Sequence, residues 1–283
     1  MLNLIKENFF AIEELTKGNE LVAQSIFQKN VKNVPCCLSL NNIGVYYSQY
    51  GMILKNGSIQ SAKKIGLNYL LKASLYDTDW RNCVSLATAL LEAGNALQAH
   101  QYLLKAYTLN SDYKILYNIG TCLFRLKNFQ EAILVFEKLC TDEIIDEIIR
   151  DGGQHPFLIL AYCQIELHNK QECLNYIQRY RAVWKSDERL DVFHLRYLCG
   201  MYEEALSECL ELLKEWYPTK SIIALIVECI LHSTSYAPTI DKAISPEHKI
   251  TWDALKKNDA LREKAIKEYM YLPPWICLYQ YIV

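Results

Sequence analysis

Five carboxylates between residues 142 and 151 form the densest set of side chains that could hold a metal ion. They are Asp142, Glu143, Asp146, Glu147 and Asp151. Carboxylates four residues apart on a helix share a face, so the stretch could offer oxygen ligands to a divalent cation in an all-α enzyme or regulatory subunit. No second acidic cluster stands opposite, and four isoleucines make the stretch amphipathic. We interpret it as a solvated helix face and keep the metal-dependent enzyme as an alternative.

The other residue types used in catalysis are scattered. The six histidines show no zinc-protease spacing, and the 11 cysteines form no CxxC pair. Cysteines on apolar helix faces are typical of small hydrophobic residues in a reducing cytoplasm. Glycine-rich phosphate loops are absent too. The sequence therefore predicts no catalytic residues, no metal site and no cofactor.

Charge and hydropathy narrow the classes of partner. A net charge of −2 and a pI near 6.3 provide no overall attraction for nucleic acid, and the basic pairs Lys63-Lys64 and Lys256-Lys257 are isolated. The N-terminus lacks the apolar stretch of a signal peptide, and the most apolar run, Ser221–Leu231, is too short to span a bilayer of about 30 Å. We expect a cytoplasmic protein with no nucleic-acid or membrane partner, and we interpret that run as a buried helix.

A small–small–apolar pattern organises the chain. In the stretch from Ile119 to Leu139, small residues stand 12 positions apart and apolar residues follow at offsets 16 and 19. The three copies are Gly120, Ala132, Phe136 and Leu139; Ala87, Ala99, Leu103 and Ala106; and Ala161, Cys173, Ile177 and Tyr180. A turn position, occupied by Gly94, Lys127 or His168, follows each leading small residue by seven. Repeats of this length predict an array of helix pairs.

The pattern resembles the tetratricopeptide repeat family. The positions that carry the resemblance are Leu116, Ile119, Gly120, Leu123, Phe129, Ala132, Phe136 and Leu139, with a preceding copy at Leu86, Ala87, Leu90, Gly94, Ala99, Leu103 and Ala106. The similarity covers about residues 36–216 as roughly five degenerate repeats. It implies an all-α fold: a right-handed α-α superhelix, a solenoid of antiparallel helix pairs whose first helices line a concave groove.

Three regions are expected along the chain. Residues 1–33 would form an N-terminal helical cap, and residues 34–218 the repeats, with an inserted loop near 51–65. Residues 219–283 would hold a helical pair, one charged capping helix over Trp252–Tyr271 and an apolar tail. The tail is expected to fold back onto the last repeats, or else to bind a partner.

The resemblance also implies a set of groove residues. By repeat position they are Asn42, Arg81, Ser85, Thr88, Lys114, Tyr117, Asn118, Thr121, Arg125, Tyr162 and His194. Asn42 and Asn118 occupy equivalent positions, two residues before a glycine, where an amide could bond a peptide backbone or could merely be solvated. Lys114 and Arg125 could receive a carboxylate at a peptide's C-terminus. The carboxylate clamp of the family's chaperone-binding members is not supported, because Val45 follows Gly44 where those members have a different flanking residue. The several tyrosines on first helices suit either an interface or packing between repeats.

These observations favour a non-catalytic scaffold that binds a peptide or protein partner in the groove. The alternative is an assembly module that oligomerises through the C-terminal helix and tail. The sequence alone leaves the oligomeric state and the identity of the partner open.

Overall fold

The computed structural model describes residues 2–50, 59–76, 79–183, 189–215, 219–233, 244–269 and 271–282, the side chains of residues 189 and 209–215 excepted. These ranges form sixteen α-helices and no strand. The first eight are α1 Leu2–Thr16, α2 Glu20–Asn33, α3 Cys37–Tyr50, α4 Ile59–Ala73, α5 Trp80–Glu92, α6 Ala96–Leu109, α7 Tyr113–Arg125 and α8 Phe129–Glu137. The others are α9 Asp142–Arg150, α10 Pro156–Glu166, α11 Lys170–Val183, α12 Arg189–Cys199, α13 Tyr202–Glu215, α14 Lys220–Leu231, α15 Pro246–Lys257 and α16 Asp259–Lys267. None of these helices combines the length and apolarity that crossing a membrane requires.

The turn between the two helices of a repeat has one recurring conformation. Gly94, Lys127, His168 and Gly200 have φ angles of 80°, 60°, 61° and 81°. At each site the following amide donates to the carbonyl five residues earlier, at 2.8 to 2.9 Å, which is the Schellman helix end. A side chain in this left-handed region costs about 1–2 kcal/mol. Helix pairing therefore imposes the conformation on Lys127 and His168, and the predicted turn position of the repeat is confirmed.

Aspartates fix where two first helices begin. The side chain of Asp79 accepts from the Arg81 amide at 2.8 Å, and that of Asp112 accepts from the Lys114 amide at 2.7 Å. These N-caps are 33 residues apart and start α5 and α7 in the same register. Ser85 and Asn118, each six residues after its cap, consequently occupy the same position on their helices.

The helices α3 and α4 approach each other through two glycines. A Cβ added at Gly66 would lie 2.3 Å from Ser48 Oγ and 2.8 Å from the Gly44 carbonyl oxygen, and one added at Gly44 would lie 2.8 Å from Leu70 Cγ. Such distances leave no space for any side chain at the crossing. Glycine here sets the spacing that holds α3 in place.

One local expectation from the sequence stays a prediction and another is wrong. The inserted loop predicted near 51–65 falls largely on residues 51–58, which lie outside the described ranges, and α4 begins at Ile59. The predicted single helix Trp252–Tyr271 is instead two helices, α15 and α16. They are separated at Asn258, whose side chain accepts from the Leu261 amide at 2.9 Å and so starts the second helix.

Contacts group the chain into two compact units. One comprises residues 1–131, 150–152 and 275–283, and the other residues 132–149 and 153–274. In the second unit, α14 is a buried apolar helix, as predicted, and Trp252 and Leu255 of α15 belong to its core. Arg262 of α16 forms an ion pair with Glu228 of α14 at 2.5 Å. The predicted domain boundaries near residues 33 and 218 remain predictions.

Candidate functional site

The C-terminal residues 275–282, here called the tail segment, lie on α3, α5 and α7 of the first unit. The amide of Ile276 donates to Asn118 Oδ1 at 2.9 Å, and Asn118 Nδ2 donates to the Ile276 carbonyl at 2.8 Å. Asn42 does the same with Ile282, at 2.7 and 2.9 Å. Each asparagine thus bonds both backbone groups of one tail residue. The expectation that the tail folds back onto the last repeats is wrong, because its described residues lie on the first helices of the early ones.

A serine completes the series between the two asparagines. The amide of Gln280 donates to Ser85 Oγ at 2.8 Å, and the Gln280 carbonyl accepts from Ser85 Oγ at 3.2 Å and from Asn41 Nδ2 at 2.7 Å. Ser85 stands two residues before Ala87, as Asn42 and Asn118 stand two residues before their glycines. We call Asn42, Ser85 and Asn118 the ladder. The same repeat position on α3, α5 and α7 therefore carries a side chain that hydrogen-bonds the backbone of the tail segment.

The ladder is buried. The three side chains and Asn41 are each 0% exposed. Buried polar groups need hydrogen-bond partners, and the tail backbone supplies them to the ladder. The alternative that Asn42 and Asn118 are solvated is therefore excluded in this structure.

Apolar contacts hold two side chains near the end of the tail segment. Ile282 packs in a cluster with Cys37, Leu40 and Ala73. The ring of Tyr281 is stacked on that of Phe27, with centroids 5.8 Å apart and planes 10° apart. Both contacts involve the first repeat and its N-terminal neighbour α2.

At the other end of the tail segment, an aromatic ring meets a cation. The Arg125 guanidinium lies 4.5 Å from the ring centroid of Trp275. Burial lowers the pKa of Arg125, and its Nη1 also donates to the Leu91 carbonyl at 3.4 Å.

Five predicted groove residues have other contacts. Thr88 and Thr121 donate to carbonyls of their own helices, at 2.9 and 3.2 Å, and Tyr117 is fully buried. Arg81 is paired with Asp79 at 2.8 Å, and Lys114 with Asp151 at 3.0 Å. The predicted positive charge at Arg81 and Lys114 is therefore balanced by neighbouring carboxylates.

Tyr162 and His194 belong to a buried polar cluster in the second unit. Tyr162 Oη bonds Asp191 Oδ1 at 3.1 Å and His194 Nδ1 at 3.0 Å, and the Tyr162 ring is stacked on Tyr271 with centroids 3.4 Å apart. Burial lowers the pKa of His194 to about 3 and raises the pKa of the Tyr162 phenol. Burial also raises the pKa of Asp191 to about 6, against hydrogen bonds from Tyr162 and Gln154. The imidazole and phenol are consequently neutral near pH 7.

Acid should destabilise the protein through its buried histidines. His155 caps α10, its Nδ1 accepting from the Phe157 amide at 3.2 Å, and burial lowers its pKa to about 4. Between this value and about 6.5 the unfolded chain binds a proton that the native chain does not, so stability falls as the pH falls. In His155→Asn, which keeps a capping acceptor without a titrating ring, we expect the loss between pH 7 and 5 to shrink by roughly 1–2 kcal/mol. Urea unfolding followed by circular dichroism at both pH values measures it.

Asp191 should change the pH dependence of stability in the direction opposite to His155. Its folded pKa is raised, so the native chain holds a proton that the unfolded chain has released, and protonation at Asp191 adds stability as the pH falls. Asp191→Asn removes this gain, and the acid-induced loss should become steeper than in the wild type. Equal slopes in all three proteins would contradict both expectations.

Few contacts at the site were visible as such in the sequence. Sequence reasoning missed Asn82, whose Nδ2 donates to Asn41 Oδ1 at 3.2 Å, and Phe27, which lies outside the repeats. The signal that could have located the tail is its composition: residues 269–283 contain no Asp, Glu, Lys, Arg or His. An uncharged segment can supply backbone partners to a buried row of polar side chains without burying charge.

The described residues offer little for metal chemistry. No group of three or more His, Cys, Asp or Glu side chains in these ranges is placed to hold a metal ion. In α9, Ile145 and Ile148 are buried, whereas Asp142, Glu143 and Asp146 are exposed. The ten cysteines with described side chains are free thiols.

Comparisons with known proteins bear on the fold. Neither protein-family models nor curated proteins match the sequence. Among solved structures, a tetratricopeptide repeat protein from Parabacteroides merdae is similar with a TM-score of 0.63, 15% identity and coverage of 94% of this chain and 98% of that one. PilF of Pseudomonas aeruginosa is similar with a TM-score of 0.56 and 16% identity, over 81% of this chain and 97% of that one. The MamA protein gives a TM-score of 0.50 at 18% identity, over 65% and 96%.

These similarities and the recurring turns define the class of protein. The chain has the fold of a helical repeat protein of the tetratricopeptide type. The predicted all-α solenoid fold is thereby confirmed. At such low identity the similarity establishes the fold alone.

Proposed function

We propose that this chain is a non-catalytic protein-interaction scaffold and that α3, α5 and α7 bind an extended segment of a partner polypeptide. The observation that carries the proposal is the ladder, in which Asn42, Ser85 and Asn118 each bond the amide and the carbonyl of one residue in the chain's own tail. Helical solenoids commonly use such extended surfaces for binding.

The chemistry of the ladder suits a polypeptide ligand. A side-chain amide donates and accepts at once, so it matches the two hydrogen-bonding groups that every non-proline residue carries. Backbone bonds of this kind supply affinity that depends little on sequence, while neighbouring side-chain pockets supply specificity. The cluster around Ile282 and the guanidinium over Trp275 are two side-chain contacts among the described residues that could supply such specificity.

The alternative drawn from the sequence, assembly through the C-terminal helix and tail, has less support. The backbone of Ile276, Gln280 and Ile282 is already bonded within the same chain. Oligomerisation through these residues would first require the tail segment to leave its own ladder.

A peptide-library screen against the purified chain tests the proposal. The proteins compared all carry Ile276→Pro/Ile282→Pro, which removes the two tail amides bonded to Asn118 and Asn42, so that the chain's own tail does not compete for the ladder. In this parent protein we expect Asn42→Ala/Asn118→Ala to weaken binding of the selected peptides at least about tenfold, which corresponds to roughly 1.4 kcal/mol. Asn175→Ala in the same parent, on the exposed face of α11, is the matched control and should bind like the parent. Far-UV circular dichroism of each variant verifies that the helices are retained. Selected peptides that bind the folded ladder variant as tightly as the parent would refute the proposal.

A further inference from the structure

The tail segment is held as an extended peptide would be. Ile276, Leu278 and Ile282 are 3, 6 and 6% exposed, whereas the intervening Cys277 is exposed. The ladder bonds fall at residues 276, 280 and 282, all of the same parity. Alternation with period two is the geometry of an extended chain.

The direction and spacing of the contacts are also defined. Ile276 lies at α7, Gln280 at α5 and Ile282 at α3, so the tail segment runs opposite to the chain order of the repeats. Trp275 at one end meets a guanidinium, and Ile282 at the other enters an apolar cluster. These two side chains, seven residues apart, bracket the ladder.

The contacts at the two ends of the tail segment determine which side chains a ligand could place there. The cluster around Ile282 consists of Cys37, Leu40 and Ala73, with partly buried apolar neighbours. A carboxylate or ammonium group placed there would lose its hydration without gaining a partner from these side chains, which is costly. The Arg125 guanidinium favours the electron-rich face of an aromatic ring over an aliphatic side chain.

We infer that the tail segment is an intramolecular ligand, and that the partner of this face is a polypeptide segment of the same chemistry. That segment is uncharged and extended, with an aromatic residue in place of Trp275 and branched aliphatic residues in place of Ile276 and Ile282. This inference rests on the proposed function. Because each ladder side chain already bonds both backbone groups of a tail residue, tail and partner exclude each other.

Mutual exclusion has a measurable consequence. A tethered segment acts at an effective concentration that reaches the millimolar range for short linkers. The tail therefore weakens the apparent affinity for any free segment that uses the same ladder. Displacing the tail should strengthen it without any change in the ladder itself.

The test uses a fluorescein-labelled synthetic peptide with the sequence of residues 271–283, carrying serine in place of Cys277 against oxidation. The full-length variant Ile276→Pro/Ile282→Pro lacks the two tail amides that donate to Asn118 and Asn42 and keeps every ladder side chain. We expect the peptide, followed by fluorescence anisotropy, to bind this variant at least tenfold more tightly than the wild type. Cys277→Pro is the matched control, since no ladder bond uses the Cys277 amide, and it should bind like the wild type.

Three outcomes would overturn different statements. Equal affinity for the wild type and the double-proline variant would refute the mutual exclusion and leave the peptide-binding face standing. Absence of binding to the double-proline variant would refute the proposed function itself. A peptide with Ile282→Asp that binds as tightly as the parent would refute the stated ligand chemistry.

A second variant tests the mutual exclusion independently, in case the double-proline protein does not fold. Ile276→Ala/Ile282→Ala keeps the tail amides and weakens the tail only through lost apolar contact. It should also bind the peptide more tightly than the wild type does, and affinity equal to that of the wild type would count against the exclusion in the same way. Thermal unfolding followed by circular dichroism confirms the fold of each protein.

Discussion

Backbone amides of the tail segment should exchange with solvent much faster when the ladder loses its asparagines. In Asn42→Ala/Asn118→Ala, the amides and carbonyls of Ile276 and Ile282 lose four hydrogen bonds. Each such bond contributes about 0.5–1.5 kcal/mol, so docking of the tail weakens by roughly 2 kcal/mol or more. The expected increase in exchange rate at these amides is on the order of 30-fold.

Hydrogen exchange followed by mass spectrometry measures this directly on the full-length chain. A peptide from the core of α14, residues 222–230, serves as the internal reference, because its amides lie in a buried helix of the second unit and should keep their rates. Asn175→Ala is the surface control. If residues 275–282 exchange equally in the double variant and the wild type, the ladder does not hold the tail.

A single variant, Asn118→Ala, separates loss of the tail contact from an effect on α3, because Asn42 has two roles. Its Oδ1 also accepts from Asn41 Nδ2, at 3.3 Å, so its loss could disturb α3 as well as the tail. Asn118→Ala alone avoids this neighbour and should raise the exchange of Ile276 while leaving that of Ile282 nearly unchanged. If only Ile276 exchanges faster, the tail has lost its contact with Asn118 alone. If amides throughout the first unit exchange faster, the variant has destabilised that unit as a whole.

The repeat register was predictable because it depends on local chemistry. The spacing of small residues and the turn position at Gly94, Lys127 and His168 follow from helix packing and helix ends, and both repeat along the sequence. That register alone places Asn42 and Asn118 at equivalent positions. Ser85 occupies the same position with a different residue type, and only its bonds to Gln280 reveal the common role.

The partner of the ladder could not be predicted from periodicity. The bonds that join Asn118 to Ile276 and Asn42 to Ile282 span 158 and 240 residues. Nothing in the local pattern of a non-helical tail after Pro273-Pro274 states which helices it contacts, since apolar side chains would be buried equally well elsewhere. The break at Asn258 was missed for a related reason: the apolar stripe continues across it, and the capping bond to Leu261 depends on one side chain.

Gly66→Ala should destabilise the first unit, although alanine is the better helix former. The intrinsic preference for alanine over glycine inside a helix is worth about 1 kcal/mol. Against it, the new Cβ would lie 2.8 Å from the Gly44 carbonyl oxygen, an atom of the backbone that no rotamer change can move. Overpacking of this kind costs about 1–3 kcal/mol, and more where backbones must separate. Since α3 and α4 would have to move apart, we expect a net loss of roughly 2 kcal/mol in the free energy of unfolding.

Two further variants show whether the steric contact causes the loss. The free energy of unfolding of all three variants is measured with urea at pH 7. Asn68→Ala, on the exposed face of the same helix, adds an alanine without a steric contact and should be neutral or slightly stabilising. Ser48→Ala/Gly66→Ala removes the hydroxyl that lies 2.3 Å from the new Cβ but leaves the Gly44 carbonyl in place, so it should rescue only part of the loss. A Gly66→Ala protein as stable as Asn68→Ala would mean that the helices separate at little cost. The close approach would then not be what fixes α3, and with it Asn42, in position to bond the tail.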